Sequence, residues 1–168
     1  MAFVDTRKQM HPVNEFYPLV ETLANPDALI KRSFDWGFKG YEAFVGALPR
    51  GVAGKMTKAD IYQAGMIWAD LDLGKCGTYP EILAMAKAAS PDVLVCSGGG
   101  VHAYWKVSPV IELTLENMDR FETFCRNKQI EISPKSDPTE KTNRLLRLPG
   151  TNNRKLNEPR KVVLLHAN

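Results

Sequence analysis

Cysteine is scarce in this sequence and poorly spaced for chemistry. The 168 residues hold three, Cys76, Cys96 and Cys125. They lie far apart and form no Cys-x-x-Cys pair, which argues against a thiolate zinc site and a disulfide framework. Cys96 and Cys125 sit in apolar patterns and read as core residues. Histidine is equally sparse: His11, His102 and His166. No two stand at strand spacing, which disfavours a nuclease of the paired-histidine type. No apolar run nears the roughly 20 residues needed to span a bilayer. The start of the chain, Met1-Ala2-Phe3-Val4-Asp5-Thr6-Arg7-Lys8, lacks the apolar core of a signal peptide, so no membrane partner and a cytoplasmic location are expected. Repeats, low-complexity tracts and linkers are also missing. The chain reads as a single domain over 1–168, long enough for a real core.

What is present is an ordinary globular composition with an uneven charge. Hydrophobic residues make up 44% and charged residues 24%, which fits a soluble domain. The net charge of +3 is not spread evenly. Lys141, Arg144, Arg147, Arg154, Lys155, Arg160 and Lys161 crowd one stretch in which Glu158 is the lone acid. Elsewhere acids outnumber bases. A basic segment on a slightly acidic body suits an anionic partner such as nucleic acid or a nucleotide phosphate, although a solvated basic surface would look the same.

Periodicity predicts the elements. Residues 11–24 read as a helix capped by Asn14 with a stripe of Phe16, Leu19, Val20 and Leu23, and a shorter helix follows through Lys31. Tyr41–Leu48 reads as a strand, 50–58 as a basic loop, and Gly65–Leu73 as a strand. Thr78-Tyr79-Pro80-Glu81 is a capping box that starts a helix running to about Ala89. Asp92–Ser97 and Val101–Val107 are strands that pair as a hairpin. Leu115, Met118, Phe121 and Cys125 mark a helix over 114–128. Asn143–Leu148 and Lys161–Leu165 are short late strands. Helices and strands alternate irregularly, which favours an α+β fold with a mixed or antiparallel sheet over a doubly wound one.

Three segments carry chemistry. Met66-Ile67-Trp68-Ala69-Asp70-Leu71-Asp72-Leu73 puts two carboxylates one residue apart on a strand. Side chains alternate, so Asp70 and Asp72 share a face with Cα atoms roughly 7 Å apart, and Ile67, Ala69, Leu71 and Leu73 face a core. Neighbouring anions repel, and hard oxygen ligands on a rigid strand suit Mg²⁺ or Mn²⁺. The plain alternative is a strand end running into a polar turn. Ser97-Gly98-Gly99-Gly100-Val101-His102-Ala103-Tyr104-Trp105-Lys106 joins a turn without side chains, able to approach a phosphate, to a strand that carries His102 on its polar face. Its alternative is a glycine-rich hairpin with a surface histidine. Asp137, followed by Arg144-Leu145-Leu146-Arg147-Leu148-Pro149-Gly150-Thr151-Asn152-Asn153-Arg154-Lys155, offers a third carboxylate and then basic groups. Two-metal phosphoryl transfer uses about three carboxylates around cations roughly 3.5–4 Å apart, with positive charge for the leaving pyrophosphate.

The order of these segments resembles the archaeo-eukaryotic primase superfamily, and is most similar to the small primase-polymerase domains of plasmids, phages and mobile elements. The resemblance runs from about Ala43 to about Leu165. It implies a split catalytic core like an RNA-recognition (RRM) fold plus an N-terminal α/β module. It also implies that Asp70, Asp72 and Asp137 hold two Mg²⁺ or Mn²⁺ ions, with Glu140 in reserve for Asp137. His102, with Ser97 nearby, would meet the phosphates of an incoming NTP or dNTP. Arg147, Asn153 and Lys155 would meet the triphosphate or the template, with Lys75 and Arg50 as weaker phosphate contacts. The implied partners are single-stranded DNA template, primer, nucleotides and a helicase or other replication protein, and the implied state is a monomer. No helicase or zinc-binding segment reads within these residues. An Asp-x-Asp glycosyltransferase using Mn²⁺ leaves the His102 and Arg147 segments unexplained. A degenerate nucleic-acid-binding module would have little reason to keep all three carboxylates.

Overall fold

The computed structural model describes residues 1–4, 13–17, 19–51, 57–155 and 157–168. In chain order its elements are strands β1 (Ala2–Val4) and β2 (Val13–Asn14), helices α1 (Leu19–Ala24) and α2 (Asp27–Phe38), and strand β3 (Glu42–Gly46). A 3-10 turn (Lys58–Asp60) leads to β4 (Gln63–Asp72), α3 (Tyr79–Ala88), β5 (Val93–Cys96), β6 (Gly100–Glu112) and α4 (Met118–Ile132). The short strands β7 (Leu145–Arg147), β8 (Asn152–Asn153), β9 (Arg160–Lys161) and β10 (Val163–Ala167) complete the chain. The fold is α+β, and every strand pair among the described residues is antiparallel. One sheet has the order β10-β5-β6-β4, a second β2-β1-β3-β7, and β8 pairs with β9. No helix among the described residues is long and apolar enough to cross a membrane.

The first sheet is built on two long strands. The expected hairpin forms between β5 and β6, and β4 lies on the other side of β6. Ile67, Ala69 and Leu71 of β4 are buried as the alternation predicts. Leu73 lies beyond the last residue of the strand and is 39% exposed, so it is not core. Leu71 joins Leu94, Val101 and Ala103 to receive Ile82 and Ala86 of α3. Burying a side chain of this size contributes about 1.5–3 kcal/mol. The helix starts where the capping box places it: Thr78 is the N-cap, and its hydroxyl and backbone N–H both donate to Glu81.

A second core lies between β4, α4 and the β3–β7 region. Trp68, Phe121, Met118 and Cys125 pack there with Leu48, Ile61 and Leu146. Cys125 is buried as expected, and burial pushes its thiol up to about 12, which keeps it an inert core group. Cys96 is only partly buried. Helix α4 begins and ends later than 114–128, and β6 runs on to Glu112, beyond the expected Val107.

The N-terminal region departs furthest from expectation. Val13 and Asn14 form a strand that pairs with Phe3 and Ala2, so Asn14 caps no helix. Helix α1 is short, and α2 extends to Phe38 rather than Lys31. Strand β1 sits between β2 and β3. The expected stretch Lys161–Leu165 divides at Val162 into two strands serving different sheets, because buried Val162 bonds to Thr151 and Gly150 instead. Residues 52–56 of the expected basic loop lie outside the described residues.

Candidate active site

Register builds the site. In the β4–β6 ladder Asp70 stands directly opposite His102, and Asp72 opposite Gly100. Paired residues of an antiparallel ladder share a face. Both Asp70 and His102 are buried. His102 Nε2 lies 3.5 Å from Asp70 Oδ1, and the other carboxylate oxygen accepts a 2.9 Å hydrogen bond from Arg144 Nη2. On the far side of the ring, Tyr104 Oη is 3.3 Å from His102 Nδ1. Burial raises the Tyr104 hydroxyl well above its ordinary value, so it stays protonated beside Nδ1. Nε2, on the opposite edge of the ring, faces Asp70. Burial lowers the pKa of His102, and Arg147 and Arg144 add to this against the charge of Asp70. The imidazole is therefore neutral at pH 7, with both nitrogens engaged inside the protein.

Asp72, one pleat along, is partly exposed. Its carboxyl is raised above the usual range, first by burial, then by the charges of Asp70 and Asp137, with Lys155 and Lys75 opposing. Three carboxylates and two lysines thus act on one spot. Asp137 forms an ion pair with Lys75. Among the described residues no three His, Cys, Asp or Glu side chains converge into a ready-made metal cluster. The donors at this spot are nevertheless carboxylate oxygens, the class that Mg²⁺ and Mn²⁺ take, and the charges of Asp70 and Asp137 both act on Asp72. The donor set fits a hard divalent cation, which would compete with Arg144 for Asp70 and with Lys75 for Asp137.

The glycines are required chiefly by close backbone packing. A Cβ on Gly100 would sit 2.0 Å from the Leu71 carbonyl oxygen of the neighbouring strand. Gly98 takes φ +76°, and its missing side chain leaves room for Asn153 and Arg160 at 3.0 Å. Buried Asn153 donates to the Ser97 carbonyl at 2.9 Å and accepts from the Lys155 N–H at 3.0 Å. Asn153 therefore anchors the glycine turn and fixes the backbone that presents Lys155. Ser97 is itself buried and closes the turn through its N–H to Gly100 O at 3.0 Å. Arg147 does not lie free: its Nε and Nη2 both bind Glu42 Oε2 at 3.0 Å, and its guanidinium stacks 5.0 Å from the Phe44 ring centre. Arg50 donates to the Asn143 carbonyl at 3.4 Å. Glu140 is buried, 4.0 Å from Lys141, and its Oε2 has no hydrogen-bond partner among the described residues.

Three residues that sequence reading did not single out organise this centre. Arg144, three positions before Arg147, is the one that reaches Asp70. Tyr104 orients His102. Gln129 of α4, buried, donates to the Asp137 carbonyl, accepts from Thr139 Oγ1, and accepts from the Asp70 N–H at 3.4 Å. It ties the segment carrying the third carboxylate to the strand carrying the first two, helped by Trp68 Nε1 donating to Thr139 O at 2.8 Å. The basic run itself held the signal for Arg144. Gln129 had none beyond a polar residue on an apolar helix face.

The antiparallel sheet with its acidic strand, the hairpin partner and the separate N-terminal sheet together form the fold of archaeo-eukaryotic primase domains. Two solved structures share it. One is the archaeo-eukaryotic primase domain of the cyanophage S-2L primase-polymerase, with a TM-score of 0.67 at 13% identity over 96% of this chain and 76% of that one. The other is the primase RepB′, with a TM-score of 0.59 at 18% identity over 99% of this chain. The chain spans 50% of the length of RepB′. No protein-family model matches the sequence, and no curated protein matches it.

Proposed function

We propose that this chain is a template-dependent nucleotidyltransferase, a DNA primase or polymerase that makes or extends primers on single-stranded DNA from NTPs or dNTPs. The observation that carries the reading is the juxtaposition of Asp70 and His102 across β4 and β6, with Asp72 one pleat on, within a primase-type fold. Asp70, Asp72 and Asp137 would hold Mg²⁺ or Mn²⁺, which when bound supplies acidity to a 3′-hydroxyl and neutralises the pyrophosphate. Lys155 and Lys75, both acting on Asp72, stand ready to balance triphosphate charge. His102, braced by Tyr104 at Nδ1, would turn Nε2 toward a phosphate oxygen where Asp70 served a metal ion. Arg144, which binds Asp70, would be a further phosphate contact if a cation took over that carboxylate. Arg147 and Asn153 support the site by shaping β7 and the glycine turn.

The alternative of a non-catalytic nucleic-acid module draws on one observation: Asp70 and Asp137 each already have a cationic partner within the chain. Synthesis on single-stranded DNA with labelled NTPs or dNTPs and Mg²⁺ or Mn²⁺, with and without primer, separates the two. Product that disappears in Asp70→Ala/Asp72→Ala is the expected result. Undiminished product in that variant would refute the mechanism, and no product from the wild-type chain would favour the module.

A further inference from the structure

Helix α2 leaves much of its apolar face uncovered. Phe34 is 49% exposed and Phe38 90%. The two rings border a cleft of about 130 Å³, shared with Gly37 and Tyr41 on one side and Asn152 and Arg154 on the other. At roughly 30 Å³ per water, that is room for about four water molecules, a space for one flat ring. The Arg154 guanidinium is held across the cleft by an Nη2 bond to the Gly37 carbonyl at 3.1 Å. Its buried Nε has no hydrogen-bond partner among the described residues. Such an unpaired donor is a cost, and it leaves a hydrogen bond for a group bound in the cleft to take up.

Charge indicates the occupant. Arg154 is the cation of the lining, with Lys155 next to it in the chain, whereas Arg32 and Lys39 of the α2 region carry their charges over the Trp36 ring, 5.1 and 4.6 Å from its centre. Two nearby acids are already used: Glu15 binds Arg32, and Glu42 binds Arg147 and the Arg154 N–H. Asp35 is the acid on α2 near its end. Exposed aromatic rings beside a guanidinium fixed in the cleft suit the faces and phosphates of an unpaired nucleic-acid strand. An apolar protein surface would instead desolvate the Arg154 guanidinium without recompense. The cleft also adjoins the candidate active site through the chain itself. Arg154 stands between Asn153, which anchors the glycine turn, and Lys155, whose charge acts on Asp72.

We propose that the cleft between α2 and the turn after β7 binds a base of single-stranded nucleic acid, stacked on Phe38 and Phe34 with its backbone against Arg154. This deepens the primase-polymerase reading and rests on it for the strand's role as template. Fluorescence anisotropy with labelled oligo(dT), at low salt and without metal or nucleotide, tests the cleft directly. Phe38→Ala removes a ring that is almost wholly in solvent, so the fold is kept; binding falls about ten-fold, while Mn²⁺-dependent nucleotide binding is unchanged. Gly37→Leu, at a position where an added Cβ meets nothing within 4 Å, fills the cleft and weakens oligo(dT) binding to a similar degree. Wild-type affinity in both variants overturns the proposal. Intact oligo(dT) affinity with a dimer that Phe38→Ala dissolves in sedimentation also overturns it, and assigns the face to a second copy. Oligo(dT) binding lost in both variants, with no synthesis by the wild-type chain, keeps the cleft and refutes the primase-polymerase reading instead.

Discussion

The two four-stranded sheets are both antiparallel, yet they are held by different means. The sheet carrying Asp70 and His102 rests on strands of 10 and 13 residues, whose inner face is closed by Ile82 and Ala86. The N-terminal sheet has strands of 2, 3, 5 and 3 residues. Polar ties do much of its work: the N-terminal ammonium donates to Glu15 O at 2.5 Å, Glu15 binds Tyr17, Arg32 and Trp36, and Glu42 binds Arg147 and Arg154. A face that must hold carboxylates in fixed positions gains from long ladders and dense packing. A face that must receive a flexible polymer can leave rings in solvent, as Phe34 and Phe38 are left.

The largest effect separates chemistry from scaffold. Asp70→Ala removes the group that holds Arg144 and faces His102, and synthesis should fall on the order of a thousand-fold or more. Phe38→Ala in the other region should reduce synthesis only at limiting template. Single-turnover rates at limiting and at saturating oligonucleotide measure both.

Glycine substitution sharpens the same contrast. Gly100→Ala drives a methyl into the Leu71 carbonyl of β4, and backbone cannot yield as a side-chain tip can. The ladder must open beside Asp72, at a cost of about 2–4 kcal/mol. Urea unfolding should show the lower midpoint. An unchanged midpoint would mean that the strands are looser than their register implies.

The polar clamp of α4 comes next. Burial raises the Glu122 carboxyl, but Lys58, the Thr142 N–H and Lys141 outweigh it and hold the pKa below the ordinary 4.5. A depressed folded-state pKa contributes stability above the unfolded value, and that contribution is lost as pH falls through the folded one. Glu122→Gln should therefore cost about 1–3 kcal/mol at pH 7 and progressively less below pH ~4.5. Thermal melts at pH 7 and at about pH 3.5 check the convergence of variant and wild type.

Local signals were readable and distant pairings were not. The Thr78–Glu81 box, the β5–β6 hairpin, and the shared face of Asp70 and Asp72 depend on residues a few positions apart, where spacing decides geometry. Strand β4 joins β6 from 32 positions away, so the meeting of Asp70 with His102 leaves no local trace. Val13 and Asn14 read as a helix start because Asn14 and the apolar stripe after it mimic one. Their strand exists only because Ala2 and Phe3 arrive beside them. The segment Arg144-Leu-Leu-Arg147 announces positive charge but not its destination. Buried Glu42, 105 positions from Arg147, claims that arginine and leaves Arg144 to Asp70.

The smallest effect runs in the opposite direction and is confined to the N-terminal region. Gly37 lies in the last turn of α2, with no positive φ, and an added Cβ meets nothing within 4 Å. Glycine in a helix loses more backbone freedom on folding than alanine does, and nothing in the packing here needs the missing methyl. Gly37→Ala should therefore stabilise the chain by about 0.5–1 kcal/mol, where Gly100→Ala destabilises it severalfold more. The gain should appear as a higher urea midpoint with an unchanged slope. A loss instead would mean that the space beside Gly37 closes in solution, and that the cleft walled by Phe38 and Arg154 is narrower than the chain's geometry gives it.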